Sequence, residues 1–437
     1  MLMLEEYKNK PVLIIGYGRE GRTLFDLLTE AGANVIVHDD KNFEPETIPA
    51  ALAHLSNIHK FKTIFVSPSV KPTHPIFHMA AETFTPITTS TNLFLETKAD
   101  KTIAVTGSKG KSTTASLIAH ILKTMNYDVA FGGNIGTPLL SLPEAKIYVA
   151  ELSSYQNKYV TKSPKTIVVT SLFPDHLDYH GNENNYYNDK LNLLQHNPQN
   201  IIVNHEDSNL VEQLNKRSIQ TVDNPYHIGE EVHSNWLWYQ NQKIFNLVFT
   251  ELRGAHNYSN LKLALNAVEK HINKQIPVHI LIEALETFTP LPHRMESIED
   301  PYRQHIFVDD TLATTPQATS ATLKTVYKQN PDLKVVLILG GQDRNLPDYK
   351  SLQETVTPET FIITLPNNGE TILEQLPQIQ NSYHAETLDE AVQYVRKHFK
   401  QITIVVLSPS APSYDTHANY EEKSADFKQA IERRLKE

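Results

Sequence analysis

The stretch VTGSKGKST at residues 105–113 constrains the fold of this chain more than any other. The apolar run at 103–105 predicts a β-strand, and the run TTASLIAHILKTM that begins at Thr113 predicts a helix. Between such elements, small residues let backbone N–H groups surround phosphate oxygens, and the positive end of the helix dipole adds to binding. A nucleoside triphosphate is therefore expected at seven residues: Gly107, Ser108, Lys109, Gly110, Lys111, Ser112 and Thr113.

Two residues of this loop have specific expected roles. Lys111 is placed to reach the outer phosphates, and the hydroxyl of Ser112 is placed to ligate Mg²⁺. The loop is shorter than the general G-x-x-x-x-G-K-[ST] pattern, so a Gly-Lys turn before a surface helix is the alternative.

Composition excludes several classes of function. The 437 residues carry a net charge of −10, which argues against a surface that coats nucleic acid. The chain has no cysteine, so disulfides, thiolate metal sites and cysteine nucleophiles are excluded. No signal peptide is evident, and no stretch approaches the roughly 20 apolar residues of a membrane span. We expect a cytoplasmic, monomeric protein that acts on small molecules, without nucleic-acid partners or membrane insertion.

Apolar runs divide the chain into three blocks, at 1–95, 96–290 and 291–437. In each block the runs alternate with segments long enough for crossover helices, which is typical of parallel sheets covered by helices. We predict an α/β fold with three domains. The first and third are Rossmann-like, and the central one is a parallel sheet of the P-loop type.

The first block opens with a glycine-rich turn, Gly16–Gly21, after the predicted strand PVLIIG. An acidic pair, Asp39 and Asp40, follows about 20 residues later, so the pattern indicates a phosphate or ribose site. A nicotinamide cofactor is not favoured, because no second βαβ half that would hold it is evident.

Polar residues follow the predicted strands of the second block. Glu151 ends the strand YVAE, where it could hold Mg²⁺ together with Ser112 or simply favour a helix N-terminus. The segment DHLDYHG places two acids and two histidines, His176 and His180, within six residues. This density suggests a hard cation with oxygen ligands and one imidazole, since a closed zinc site without cysteine is not expected.

Two further signals are weaker. Lys190 lies on a predicted helix and by itself indicates an ordinary surface lysine. Asn257 and Asn260 lie three apart on one face of a predicted helix, where they could cap the helix or contact a base or phosphate.

Taken together and in order, the motifs resemble those of the Mur ligase family over essentially the full chain. They are VTGSKGKST, GGNIGTPLL, ELSSYQ, DHLDYHG followed by Lys190, GAHNYSN, LPHRME, VDD-xx-AT, LILGGQD and LSPSAPSYD. The resemblance implies an ATP-dependent ligase of cytoplasmic peptidoglycan precursor synthesis. ATP would phosphorylate the carboxylate of UDP-N-acetylmuramoyl-L-alanine, and the amine of glutamate would attack the acyl phosphate.

The resemblance also implies residue roles, beginning with the catalytic residues Lys111, His176 and Lys190. One Mg²⁺ would be held by Ser112 and Glu151, and a second by His176 and a carbamylated Lys190. The implied ATP contacts outside the loop are Asn257, Asn260, Arg294 and Asp310. The implied contacts of the UDP substrate are Gly16, Tyr17, Gly18, Asp39, Asp40, Asn134 and His180. The implied glutamate contacts are Thr314, Arg344, Ser413 and Tyr420. The third domain would close over ATP.

Departures from the family pattern concentrate in the predicted glutamate pocket. Leu312 and Arg344 stand where the D-glutamate-adding enzymes have lysines. An arginine fork is not equivalent to a lysine at a carboxylate site, and these features look more like the branch that adds L-glutamate. We expect D-glutamate, because it is the commoner activity, with L-glutamate as the alternative. A ligase similar to folylpolyglutamate synthase is a more distant alternative. The glycine turn of the first block argues against it, because that turn favours a UDP substrate.

Overall fold

The computed structural model describes residues 4–39, 57–231, 234–250, 252, 254–289, 293–342, 349–413 and 416–434. The chain divides into two compact units. The first comprises Met1–Leu252 and His256–Phe288, and the second comprises Arg253–Ala255 and Thr289–Glu437. The predicted boundary at residue 95 falls inside the first unit, and the three-domain division stays a prediction.

The first sheet of the first unit is parallel, with strand order β2-β1-β3-β4. Its central strand β1 is apolar and buried along nearly its whole length, as expected for a strand covered on both faces. Its strands are β1 (Pro11–Ile15), β2 (Asn34–His38), β3 (Thr63–Val66) and β4 (Ile87–Thr88). The helices of this part are α1 (Arg19–Glu30), α2 (Pro75–Thr83) and α3 (Ser90–Lys98).

The central sheet is also parallel, with strand order β6-β7-β5-β8-β9. Its strands are β5 (Thr102–Thr106), β6 (Val129–Gly133), β7 (Ile147–Glu151), β8 (Thr166–Val169) and β9 (Asn200–Val203). Because β5 lies between β7 and β8, the loops that follow these three strands meet at one edge of the sheet. That edge carries Glu151, the DHLDYHG segment and the glycine-containing loop 107–110, which we call the phosphate loop after its predicted role.

The helices of the central part cover this sheet. They are α4 (Lys111–Thr124), α5 (Ser154–Asn157), α6 (Leu177–His180), α7 (Glu183–Leu191), α8 (Ser208–Lys216), α9 (Ala255–Ile272) and α10 (Val278–Thr287). An antiparallel sheet that we did not predict, β10 (Tyr226–Glu231), β11 (Ser234–Tyr239) and β12 (Gln242–Asn246), lies between β9 and α9 in the sequence. Its last two strands form a tight hairpin, in which Gln240 adopts φ +51°.

The second unit contains a sheet of order β13-β14-β18-β15-β16-β17, parallel except for the antiparallel pair β13–β14. Its strands are β13 (Glu296–Ile298), β14 (Ile306–Asp309), β15 (Lys334–Leu339), β16 (Phe361–Thr364), β17 (Ser382–His384) and β18 (Thr403–Leu407). Its helices are α11 (Pro316–Gln329), α12 (Lys350–Gln353), α13 (Gly369–Glu374), α14 (Leu388–His398) and α15 (Tyr420–Glu432). The predicted α/β class is therefore confirmed.

Among the described helices, none has the length and apolar character needed to cross a membrane.

Candidate active site

The glycine-rich loop between β5 and α4 has a backbone that requires glycine. Gly107 adopts φ +144° and Gly110 adopts φ +88°, and a Cβ on Gly107 would lie 2.0 Å from Thr170 Oγ1. Side chains that follow β8 hold the loop, since the Lys109 N–H donates to Ser171 Oγ at 2.9 Å. The loop therefore has the strand-loop-helix form predicted for a phosphate site.

Two lysines converge on one carbonyl of this loop. Lys111 Nζ donates to Gly107 O at 2.9 Å and to Ser108 O at 3.2 Å. Lys190 Nζ, on α7, donates to the same Gly107 O at 2.8 Å. Ammonium groups this close repel each other, and an anion at the loop would relieve the repulsion. Ser112 and Thr113 lie buried in the first turn of α4.

Lys190 is a buried lysine, and the surface position suggested by its sequence context alone is wrong. Its residue exposure is 2%, and its Nζ lies 4.9 Å from the centroid of the Tyr186 ring. Burial, followed by the positive charge of Lys111, lowers the pKa of Lys190 well below its usual value. This environment makes the neutral amine more accessible than it is for a lysine in water.

Glu151 offers an unpartnered carboxylate oxygen at the end of β7. Its Oε1 accepts a hydrogen bond from Asn134 Nδ2 at 2.9 Å. No group among the described residues donates to its Oε2, although that atom is buried. Buried polar atoms nearly always have partners, so this oxygen points to a ligand such as a cation.

His176 and Asp175 lie together at the end of the loop that follows β8. His176 adopts φ +53°, and its Nε2 lies 3.5 Å from Asp175 Oδ2. Burial lowers the pKa of His176 to about 4, even though the Asp175 charge opposes this shift. Burial alone would raise the pKa of Asp175, but neighbouring positive charges lower it below its usual value. At neutral pH the pair therefore offers a neutral imidazole and a carboxylate. Only the backbone of Asp178 is described.

His180, predicted to contact the muramoyl substrate, has both ring nitrogens engaged by protein. Its Nε2 lies 3.0 Å from Ser154 Oγ, and its Nδ1 lies 2.7 Å from Asp189 Oδ2. Its side chain is fully buried. In this arrangement His180 fixes the start of α5 rather than presenting a free nitrogen to a ligand.

Asn257 and Asn260 lie in the first turns of α9, beside the phosphate loop. Asn260 Nδ2 donates to Asn257 Oδ1 at 3.3 Å. A Cβ on Gly110 would lie 2.5 Å from Asn260 Oδ1, so the amide packs directly on the loop. The structure thus brings this predicted pair to the phosphate loop.

The glycine turn of the first sheet is tied to the end of β2. The Tyr17 N–H donates to Asp39 Oδ2 at 2.5 Å, and Ser67 Oγ donates to Gly16 O at 2.8 Å. A Cβ on Gly21 would lie 2.1 Å from Gly16 O, so the turn needs glycine there. Asp39 therefore supports the turn, whereas Asp40 lies outside the described residues. Gly18 is exposed at the start of α1.

In the second unit, Asp310 is a buried carboxyl surrounded by hydroxyl donors. Thr322 Oγ1 and Ser408 Oγ donate to its Oδ2 at 2.6 and 2.8 Å. Burial raises the pKa of Asp310 to about 6, and the charge of Arg294 opposes this shift. The structure thus brings the two predicted ATP contacts of this unit, Asp310 and Arg294, into one electrostatic environment.

The predicted glutamate contacts are partly described. Ser413 Oγ is buried and has no hydrogen-bond partner within the described residues. The Thr314 N–H donates to Leu312 O at 3.0 Å, and Tyr420 begins α15. Arg344 lies outside the described residues, so its contacts stay a prediction.

One residue of this region was not singled out by the sequence. His293 precedes Arg294 and adopts φ +66°, an uncommon conformation for a residue with a side chain. Its Nδ1 lies 3.0 Å from Asp309 Oδ2, and its ring centroid lies 5.6 Å from that of Tyr420. His293 thus connects the Arg294 segment to Tyr420, and no spacing rule reveals such a tertiary contact.

The fold and the candidate site together indicate a class of protein. The central strand of this parallel sheet leads into a glycine loop, and Glu151 and Lys190 reach the same edge from β7 and α7. This is an α/β enzyme architecture with a loop of the phosphate-binding form. Two family models then match the chain, the Mur ligase middle domain over residues 105–268 and the Mur ligase glutamate ligase domain over residues 293–411.

Comparisons with whole proteins extend over nearly all of the sequence. The chain is 36% identical to a UDP-N-acetylmuramoyl-L-alanine--L-glutamate ligase of a Micromonospora strain, covering 98% of each chain. It is 28% identical to a UDP-N-acetylmuramoylalanine--D-glutamate ligase of Oenococcus oeni, covering 98% of each. The fold is similar to that of a MurF ligase from Thermotoga maritima in complex with ADP, with a TM-score of 0.60 and 14% identity. The match covers 99% of this chain and 97% of the MurF chain. The chain belongs to the Mur ligase family, and the resemblance inferred from its motifs is confirmed.

Proposed function

We propose that this Mur ligase joins glutamate to UDP-N-acetylmuramoyl-L-alanine in an ATP-dependent reaction of peptidoglycan precursor synthesis. The observation that carries the proposal is the convergence of Lys111 and Lys190 on the Gly107 carbonyl of the phosphate loop. The substrates are proposed from the printed names of the relatives at 36% and 28% identity. We propose the cytoplasm as its location and a monomer as its working form.

For the amino acid we propose L-glutamate, with D-glutamate as the alternative. The expectation of D-glutamate rested on how common that activity is. The L-glutamate ligase compared above is 36% identical over nearly the full chain, whereas the D-glutamate ligase is 28% identical over the same share. The substitutions Leu312 and Arg344 in the predicted pocket support the same choice, because they change how a carboxylate would be held.

The first chemical step needs neutralisation of charge rather than a protein nucleophile. A carboxylate oxygen of the substrate attacks the γ-phosphorus of ATP, the bond to the β-phosphate oxygen breaks, and ADP leaves. Lys111 supplies a positive charge at the loop, where it would offset the charge of the transferred phosphoryl group. Asn260, which packs on Gly110, would fix the loop during this step.

The donor atoms at the edge of the central sheet fit Mg²⁺. The Glu151 Oε2 is buried without a described partner, and His176 has a neutral imidazole at neutral pH. A carboxylate, an imidazole and the hydroxyl of Ser112 form a set that a hard divalent cation accepts. When bound, Mg²⁺ would offset phosphate charge. Glu151 and Ser112 would hold one ion, and His176 and Lys190 a second.

Lys190 fits this role only after modification. As an ammonium it would repel both Lys111 and a metal ion. Its burial lowers the pKa of Lys190 and so makes the neutral amine more accessible. The amine nitrogen bonds to the carbon of carbon dioxide and releases one proton to water, which gives a carbamate. A carbamate carries a negative charge and oxygen donors in place of the positive charge. We therefore propose that Lys190 works as a carbamate.

The second step joins the amino acid. The glutamate nitrogen attacks the acyl carbon, the carbon–oxygen bond to phosphate breaks, and inorganic phosphate leaves while the amine gives up its proton. We propose that Ser413, Tyr420, Thr314 and Arg344 hold the glutamate. The unpartnered Ser413 Oγ supports a ligand contact there. Arg294 and Asp310 would contact ATP, and the first-sheet turn would hold the UDP group.

A phosphate-release assay tests this function. The purified chain is incubated with ATP, Mg²⁺ and UDP-N-acetylmuramoyl-L-alanine, with and without glutamate, and each substrate is omitted in turn. We expect sustained phosphate release only when all three substrates are present. Release that does not depend on the muramoyl substrate would refute the proposal.

A further inference from the structure

Helix α1 connects the glycine turn of the first sheet to the central part of the same unit. Three side chains near its start make polar contacts there. Arg19 Nη1 donates to Gly136 O at 2.9 Å, and Thr23 Oγ1 lies 3.2 Å from Ser141 Oγ. The third, Glu20, makes the least exposed of these contacts.

Both carboxylate oxygens of Glu20 have partners from distant parts of the chain. Gln156 Nε2 donates to its Oε1 at 2.8 Å, and Ser90 Oγ donates to its Oε2. Ser90 begins α3, the helix that leads into the central sheet. Burial raises the pKa of Glu20, although both hydrogen bonds oppose this shift. Burial of a carboxylate costs free energy, and the two hydrogen bonds offset part of that cost.

The partner of Glu20 belongs to the segment directly behind the candidate metal ligand. Gln156 Oε1 accepts from the Ser153 N–H at 2.9 Å and from Ser153 Oγ at 3.0 Å. Ser153 is two residues after Glu151 in the sequence. The backbone of the same Glu151 accepts the Asn134 N–H at 2.8 Å. One chain of contacts therefore runs from the glycine turn to the Glu151–Asn134 pair.

We propose that Glu20 is a positioning residue for the muramoyl substrate, a proposal that rests on the function given above. The substrate must place its UDP group at the Gly16–Gly21 turn and its carboxylate near Glu151 at the same time. Glu20 lies within the Gly16–Gly21 turn and hydrogen-bonds Ser90 and Gln156. It thereby sets the position of the turn relative to the Glu151 region. It touches no reacting atom in this role.

The alternative is that Glu20 only stabilises the fold. The two roles differ in their effect on binding. A positioning role affects a ligand that contacts both the first-sheet turn and the Glu151 region, but not a ligand that contacts the turn alone. UDP alone occupies only the first-sheet turn, whose Tyr17–Asp39 bond does not involve Glu20. The complete substrate spans both ends, so a positioning role affects the complete substrate selectively.

The experiment uses three variants of the full chain. Glu20→Ala removes both contacts, Glu20→Gln keeps an oxygen acceptor and a polar partner for Ser90, and Glu30→Ala is the matched control at the exposed end of the same helix. Steady-state kinetics are measured with each substrate varied, and affinity for UDP is measured by calorimetry. Thermal unfolding is followed for every variant.

We expect Glu20→Ala to lower kcat/KM for the muramoyl substrate by roughly 10²-fold, as a misplacement of about 1 Å does. The KM values for ATP and glutamate and the affinity for UDP are expected to stay within about twofold of wild type, with Glu20→Gln restoring most of the loss. A rise in the KM values for ATP and glutamate as large as that for the muramoyl substrate, or weakened UDP binding, would overturn the positioning role, as would wild-type kinetics in Glu20→Ala. Inactive wild-type protein would instead refute the proposed function. If Glu20→Ala fails to fold, Gln156→Ala is measured instead. A folded Gln156→Ala variant with wild-type kcat/KM for the muramoyl substrate would overturn the positioning role.

Discussion

Replacing Lys111 with methionine removes a positive charge from the phosphate loop while keeping most of the side-chain volume. The Nζ is held 2.9 Å from Gly107 O at a partly buried position. With a phosphate oxygen at about 4 Å and an effective dielectric constant of about 20, the lost attraction is about 4 kcal/mol. If that attraction acts on the developing charge of the transition state, the rate falls by roughly 10³-fold.

The assay is phosphate release at saturating substrates, with thermal unfolding measured in parallel. Lys123→Met is the matched control, because Lys123 lies in the last turn of the same helix α4 and is exposed. We expect Lys111→Met to unfold near the wild-type temperature and to be nearly inactive, with Lys123→Met fully active. Turnover above a tenth of wild type in Lys111→Met would refute the assignment of the loop.

Three further predictions concern other parts of the site. Lys190→Ala is expected to be nearly inactive and partly rescued by short carboxylic acids, which replace the carbamate oxygens; full activity would exclude the carbamate. Arg344→Ala is expected to raise KM for glutamate far more than KM for ATP, and an unchanged glutamate KM would remove it from the pocket. Asp310 has a native pKa of about 6 against an ordinary 3.8, so its stabilising effect is present below about pH 4 and is lost as pH rises through 6. Urea unfolding should show wild type losing stability relative to Asp310→Asn over that range, and a constant difference would contradict this.

The strand-loop-helix structure around the glycine loop was predictable because its signals are local. The strand, loop and helix from Thr102 to Thr124 are contiguous, and the glycine positions are those the backbone requires. The position of Glu151 beside this loop was predictable for the same reason, since it ends a strand next to β5. Short apolar runs that alternate with segments long enough for crossover helices likewise predicted the parallel sheets.

Residues whose role depends on tertiary contacts were not predictable in this way. Lys190 looks like a surface lysine in sequence, and its burial depends on how α7 packs against the loop. Glu20 meets Ser90 and Gln156 across separations of 70 and 136 residues, which no local pattern encodes. The hairpin of β11 and β12 lacks the Gly or Pro turn signal that marks such connections.

The stereochemistry of the product tests the central claim most directly. The chain is supplied with ATP, UDP-N-acetylmuramoyl-L-alanine and equal concentrations of L- and D-glutamate, and the glutamate released by hydrolysis of the purified product is resolved by chiral chromatography. We predict that L-glutamate predominates in the product. A product that contains only D-glutamate would contradict the L-glutamate proposal, and the absence of any glutamyl product would contradict the function as a whole.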